Sequence, residues 1–338
     1  MSLGARASRP HTTRAGETPA LQSILVYVGI DAVGDGLMKL PFVRALRHAY
    51  PQARITWMAG KGHTVFADTL APLVSGLIDE VIDEAGIGSR AGELLRRPLP
   101  GRSFDLIVDT QRRLLTTLIL KRIRHRALVS SAANFLLSDR KPAAGWRKPA
   151  AMVGQLLALV EVASGRPAEA TAPLPRLESA ETEADRLLPP GATYVGIAPG
   201  AGGRNKCWPL ENFLALASRI SDGGRIPVFL LGPAEADWGE PIRAAVPAAL
   251  LPLQAATTVT PMLTIALARR MTAAVANDSG TGHMLAAADI PLVSLFGPTP
   301  PEKFAPATPR LTVLRAQEFG GEDMAAIPLE AVANALGL

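Results

Sequence analysis

Val275-Ala-Asn-Asp-Ser-Gly-Thr-Gly-His-Met-Leu-Ala-Ala-Ala288 is the stretch on which the reading of this chain turns. An apolar strand over 271–276 runs into Asn277-Asp-Ser-Gly-Thr-Gly282, and a helix of small residues is expected from about His283. A strand that stops at such a turn leaves unpaired N–H groups at the helix start, where the dipole also favours an anion. Gly280 and Gly282 lack a Cβ, so a ligand can come close to the main chain. Asp278 and His283 add an acceptor and a titratable donor at the same mouth. Alone, such a turn is as often a plain tight connection. Its neighbours decide.

Outward from it, one alternation repeats. Apolar, β-rich runs predict strands at 24–30, 53–59, 77–82, 104–109 and 127–130, then at 193–198, 226–231, 250–253 and 291–296. Helices are expected between them at 37–50, 64–74, 89–96, 113–123, 152–164, 179–188, 209–221, 261–269 and 328–338. Strands separated by helices predict parallel sheets covered on both faces. The expected fold class is α/β, with two Rossmann-like doubly wound parallel-sheet domains facing a cleft. A disordered tail is expected over 1–21 and a first domain over 22–164. A Pro/Ala-rich linker over 165–190, a second domain over 191–318 and a C-terminal helix over 319–338 would follow.

Composition limits the class of protein. At 338 residues there is room for about two domains, and 48% hydrophobic against 19% charged residues excludes a disordered chain. No apolar run reaches the roughly 18–20 residues that span a bilayer. The first 20 residues are rich in Arg, Thr and Pro and lack the apolar core of a secretory signal. The single cysteine, Cys207, excludes an internal disulfide framework and a thiolate metal cluster, which points to a reducing cytosol. The net charge of +5 is concentrated before residue 150. A basic half suits nucleic acid, anionic lipid or a phosphorylated substrate, or is simply an arginine-rich solvated surface. Three Tyr and nine Phe are too few for a platform that stacks single-stranded bases, so no nucleic-acid partner is expected.

Four segments bear on function. They are residues 24–46 around Gly34-Asp35; Ile197-Ala-Pro-Gly-Ala-Gly-Gly-Arg-Asn-Lys-Cys-Trp-Pro-Leu-Glu-Asn-Phe213; Asn277-Asp-Ser-Gly-Thr-Gly-His283; and Phe296-Gly-Pro-Thr-Pro300. In this order and at these separations the set resembles glycosyltransferase family 9, the ADP-heptose–lipopolysaccharide heptosyltransferases, over about residues 22–338. Any one segment alone would be a weak sign. The family commonly has Ser-Leu-Gly-Asp at the first loop, where this chain has Ala32-Val-Gly-Asp35. Gly36 stands where the family usually has a β-branched residue.

The resemblance implies a GT-B fold and a set of roles. Asp35 would be the general base that takes the proton of the acceptor hydroxyl; the same residue could instead cap the following helix. Gly34 and Gly36 would let the chain turn tightly beneath the acceptor. Lys206 would neutralise a diphosphate leaving group, with Arg204 assisting and Gly200 in the same donor loop. Trp208 reads as a packing anchor and Cys207 as an inert thiol. Ser279, Gly280 and the following amides suit phosphate oxygens, and His283 could donate to them. An anionic Asp278 more sensibly binds a hydroxyl or orients the loop. Glu235 would accept the two ribose hydroxyls, unless it is only an exposed turn residue, and Thr299 would line the donor pocket. Lys39, Lys61, Arg112, Arg113, Arg140 and Lys141 are the basic residues expected to face an anionic acceptor from the first domain. The Lys121–Arg126 cluster reads as a solvated helix end.

No Asp-x-Asp and no metal-spaced cluster occurs in the sequence, so no obligatory metal and no cofactor beyond the nucleotide sugar is expected. One base and one displacement imply inversion. The expected enzyme is an inverting, metal-independent glycosyltransferase. It would move heptose from ADP-heptose to the acidic inner core of lipopolysaccharide. It would be cytoplasmic and peripheral to the inner membrane, where its glycolipid acceptor lies. A Rossmann oxidoreductase would need Gly-x-Gly-x-x-Gly after the first strand, but the chain reads Gly29-Ile-Asp-Ala-Val-Gly34. A transferase using another nucleotide sugar, or a non-catalytic binding relative, stays open.

Overall fold

A computed structural model describes residues 21–338, so the expected tail lies, but for Leu21, outside the described residues. The first half runs β1 (Ser23–Val28), α1 (Val33–Ala49), β2 (Arg54–Ala59), α2 (Ala71–Val74) and β3 (Glu80–Ile82). It continues with β4 (Ser103–Asp109), α3 (Leu114–Leu120), β5 (Arg124–Ser130) and α4 (Met152–Ser164). After α5 (Glu178–Leu187) come β6 (Tyr194–Ala198), α6 (Leu210–Asp222), β7 (Ile226–Phe229), α7 (Gly239–Ala245), α8 (Pro252–Ala255) and α9 (Pro261–Ala268). The chain ends with β8 (Met271–Asn277), α10 (Gly280–Ala287), β9 (Leu292–Phe296), α11 (Pro301–Phe304), β10 (Leu311–Arg315) and α12 (Leu329–Leu336).

The strands form two five-stranded parallel sheets, in the orders β3-β2-β1-β4-β5 and β10-β9-β8-β6-β7. Each is covered on both faces, so its central strands are apolar on both sides; β1, for example, is buried from Ile24 to Val28. On one face of the first sheet Trp57 sits edge-on between Phe42 of α1 and Phe66. The strand order reverses between β1 and β4 in the first sheet and between β6 and β8 in the second. Loops leaving the carboxyl ends of strands at such a reversal splay apart and open a crevice.

Several boundaries differ from expectation for local reasons. Helix α1 begins at Val33 rather than 37, so Gly34 and Gly36 lie in its first turn instead of in a tight loop. Gly36 answers to packing: a Cβ there would meet Val65 at 2.6 Å and Leu70 at 2.8 Å. Only Ala71–Val74 of the helix expected over 64–74 forms, because Thr64 is drawn into tertiary bonds to Asp31 and Asp83. The helix expected over 89–96 is a 3₁₀ turn, Ala91–Leu95. In place of a strand over 250–253, Leu250 makes one bridge to Val228 and Pro252 starts α8. Helix α10 starts three residues before His283 because Ser279 caps it, accepting a hydrogen bond from the Gly282 N–H at 3.2 Å.

The two halves touch through α1 and α10. Arg44 of α1 grips the Asp289 carboxylate with two bonds of 3.1 and 2.9 Å, and its Nε donates to the Ala172 carbonyl at 2.7 Å. No helix among the described residues is long and apolar enough to cross a membrane.

Candidate active site at the two strand-order reversals

At the first reversal the loops after β1 and β4 border a cavity of about 400 Å³. Asp35, Lys39, Thr110, Gln111, Arg112 and Arg113 line it, with Ile30, Met38 and, from α4, Met152 and Leu156. Asp35 is exposed and sits in the first turn of α1, where its carboxylate reaches back to the Ala32 N–H at 3.4 Å. That is half of a capping box, and it holds the carboxylate loosely at the cavity wall. Capping and availability to a ligand are therefore compatible here.

The loop is anchored by Asp31, which from the sequence reads as an ordinary loop residue or a supporting partner of Asp35. Its fully buried carboxylate takes the Lys39 ammonium, the Trp57 indole N–H at 3.2 Å and the Thr64 hydroxyl at 2.8 Å. Lys39 lines the cavity, but its charge is already matched by Asp31, which corrects the expectation of a cation free to meet an acceptor. Arg112 lends one guanidinium N–H to Gln155 at 2.8 Å, and Arg113 is exposed on the cavity wall. Lys61 is exposed beside Gly62, against which the Ile30 side chain lies, and is outside the cavity lining. Arg140 does not face the cavity: it donates to the Ala163 carbonyl at the end of α4, where Tyr50 also donates at 2.7 Å. An unpaired helix-terminal carbonyl attracts a guanidinium there. Lys141 lines a different depression, with Trp146 and Arg166.

Beneath the same wall lies Asp109, at the end of β4. Its buried carboxylate accepts from the Gln111 N–H at 2.9 Å, the Thr117 hydroxyl at 2.7 Å and the Ser130 hydroxyl at 2.9 Å. Loss of water pushes its pKa up to about 6, against the three hydrogen bonds, which pull it down. Because the folded value exceeds the ordinary 3.8, the folded state holds the proton longer than the unfolded chain. Stability from this group is complete below about pH 4 and falls by on the order of 3 kcal/mol as pH rises to about 6, then stays level. Asp109→Asn is expected to remove that slope. Denaturant unfolding of both proteins at pH 4 and pH 7 checks it, and parallel pH dependences would refute the assignment.

At the second reversal the loops after β6 and β8 meet. Asn277, fully buried at the end of β8, ties them: its Nδ2 donates to the Pro199 carbonyl at 2.7 Å and its Oδ1 accepts from the Trp208 N–H at 3.1 Å. Trp208 is itself fully buried and donates from its indole to the Ile327 carbonyl at 2.9 Å. On this frame Asp278 accepts from the Lys206 ammonium at 3.2 Å and from the Thr299 hydroxyl at 2.7 Å. One carboxylate therefore holds a cation and a hydroxyl together, two positions before α10 begins. Ser279 spends its hydroxyl oxygen on the helix cap, while Gly280 is exposed with open space around it.

Glu235 is buried, which overturns the exposed-turn alternative. Its carboxyl lies against the Gly200 main chain so closely that a Cβ on Gly200 would meet it at 2.5–2.8 Å, and one on Gly232 at 2.9 Å. Glycine at 200 is thus what admits the carboxyl to this loop. Arg204 is exposed and stacks on Trp238, with its guanidinium 4.4 Å from the ring centre. Burial, with the Glu235 charge adding to it, pushes the Cys207 thiol up, away from thiolate chemistry. His283 is pushed below the ordinary imidazole value by loss of water, opposed by the Asp278 charge. It shares a narrow crevice with Leu37, Met38 and Pro41 of α1. Met38 also lines the Asp35 cavity, so α10 and that cavity flank one side chain.

Comparison with known proteins bears on the family and the fold. The family described as glycosyltransferase family 9 (heptosyltransferase) matches residues 93–325. Lipooligosaccharide heptosyltransferase 2 of Haemophilus influenzae is 27% identical over 320 residues, covering 87% of this chain and 89% of that protein. The solved E. coli ADP-heptose LPS heptosyltransferase II is 25% identical, covers 94% of this chain and 98% of that one, and superposes with a TM-score of 0.61. An E. coli heptosyltransferase solved with ADP has a TM-score of 0.65 at 18% identity, covering 94% of this chain and 99% of that one. With two doubly wound parallel sheets and this match over most of its length, the chain belongs to glycosyltransferase family 9 and is a glycosyltransferase.

Proposed function

We propose that this enzyme is an inverting, metal-independent transferase that moves heptose from ADP-heptose to the acidic inner core of lipopolysaccharide. The observation that carries the reading is the pairing of sites. A loosely held, exposed carboxylate, Asp35, stands at one reversal, and a cation held by Asp278, Lys206, stands at the other near a helix N-terminus. The acceptor occupies the Asp35 cavity, with Arg112 and Arg113 facing its negative charge. The donor lies along the second reversal, and the ADP held by a family relative supports an adenine nucleotide there. Glu235 accepts the ribose hydroxyls, while Lys206 and the N–H groups at the start of α10 face the diphosphate; Thr299, whose hydroxyl donates to Asp278, lines the pocket beside them.

In the reaction Asp35 takes the proton of the acceptor hydroxyl as its oxygen bonds to the anomeric carbon. The carbon–oxygen bond to phosphate breaks on the opposite face, and ADP departs with the electron pair. A single displacement inverts the anomeric centre. Lys206 meets the charge that develops on the leaving diphosphate. A cytoplasmic enzyme peripheral to the inner membrane suits a nucleotide donor and a lipid-linked acceptor.

Purified protein, a panel of nucleotide sugars and a truncated water-soluble lipopolysaccharide core test the reading. ADP-heptose is expected to be the best donor, with turnover unchanged by EDTA. Lys206→Ala is expected to lower kcat by about 10²–10³-fold. Transfer only from another nucleotide sugar would overturn the donor. Loss of turnover in EDTA, restored by a divalent ion, would overturn metal independence. Donor binding without transfer to any acceptor would make the chain a binding relative.

A further inference from the structure

We infer that the surface formed by the 3₁₀ turn Ala91–Leu95 and the outer face of α3 docks on an anionic lipid bilayer. Leu95 is 88% exposed, Leu114 49% and Leu118 41%. Leu114 and Leu118 are one turn apart on α3, whose opposite face is buried through Thr116, Thr117, Ile119 and Leu120. The 3₁₀ turn packs against α3, and the Thr116 hydroxyl donates to the Gly88 carbonyl at 2.7 Å, binding the two elements into one rigid face. Among the described residues nothing covers these large side chains.

The charge around these leucines names the partner. Arg90, Arg96, Arg97, Arg112, Arg113 and Arg122 are all exposed, and none forms an ion pair among the described residues. The acid between them, Glu93, is spent on the main chain, accepting from Gly88 N–H at 2.6 Å and Arg90 N–H at 2.7 Å. Leucines that can enter the headgroup layer, flanked in sequence by exposed arginines that can meet phosphates, are complementary to anionic lipid. The face also runs into the site. Arg113, which precedes Leu114, lines the Asp35 cavity, as does Ile30, 62% exposed. A bilayer on this face would bring the head of a lipid-anchored acceptor to the cavity mouth. The inference rests on the glycolipid acceptor proposed above.

Co-sedimentation of the full chain with phosphatidylglycerol-containing vesicles, and with vesicles of phosphatidylcholine alone, tests the surface without acceptor. Binding is expected to the anionic vesicles, and to weaken with added salt. The double variant Leu95→Glu/Leu118→Glu is expected to bind about tenfold or more weakly, yet to turn over a water-soluble acceptor like the parent. Its melting curve checks folding, and Arg96→Glu/Arg97→Glu gives a second variant that removes no apolar contact. Equal binding of the parent to both vesicle types, or unweakened binding by both variants, would overturn the inference. So would a concentration-dependent dimer that the leucine variant abolishes without vesicle binding, since the face would then belong to a second copy. Vesicle binding as expected with no transfer to any soluble acceptor would support the surface and fail the transferase reading instead.

Discussion

Asp35→Asn is expected to lower transfer to the acceptor by about 10²–10⁴-fold while leaving donor affinity and folding nearly unchanged. The carboxamide has the shape of the carboxylate and keeps an oxygen for the Ala32 N–H, so the turn of α1 that carries it survives. The cost to stability is the lost charge at a helix N-terminus, about 0.3–1 kcal/mol at an exposed site. What disappears is the proton acceptor on the cavity wall, and among the described residues nothing else lining that cavity is a carboxylate. Steady-state transfer with saturating donor, donor binding by calorimetry and a melting curve separate these effects. A variant keeping more than about a tenth of the parent rate would remove Asp35 from the base role.

Asp31→Ala is expected to destabilise the fold by about 3–5 kcal/mol, because it strips a buried ion pair of one partner. The Lys39 ammonium, little exposed, would lose its counter-charge, and the buried Trp57 indole and Thr64 hydroxyl would lose their acceptor. Asp31→Asn keeps two lone pairs but not the charge, so its loss should fall between alanine and the parent. Denaturant unfolding followed by tryptophan fluorescence measures both. A shift under about 1 kcal/mol for alanine would mean that the loop relaxes and lets water in. Three residues separate Asp31 from Asp35, so a loosened anchor should also raise the acceptor KM in whatever fraction stays folded.

Much of the architecture is legible in the chain because burial on both faces of a parallel sheet demands continuous apolar runs, and these stand out at 24–28, 194–198 and 292–296. The four motif segments are legible for the same local reason. Each is a loop leaving a strand, with its glycines and charged residues adjacent in sequence. Elements held by distant partners are not legible. Residues 64–70 have helical spacing, yet Asp31 and Asp83 claim Thr64 and the segment stays a chain of turns.

Charged side chains show the same division. From sequence, Lys39 and Arg140 look like cations available to an acceptor. Their engagement by Asp31 and by the end of α4 depends on residues 8 and 23 positions away. Glu235 reads as a turn residue until the second sheet places Gly200 over its carboxyl. Asn277 and Asp109 are single polar residues closing apolar strands, and only the topology turns them into clasps between neighbouring loops. Sequence alone determined the α/β class, the family and the positions of the motif loops, because strand burial and loop motifs are local properties of the chain. Tertiary structure decided which charges are satisfied and which still face open space, because a hydrogen bond or ion pair depends on atoms that the fold, not the sequence order, brings within 3 Å of each other.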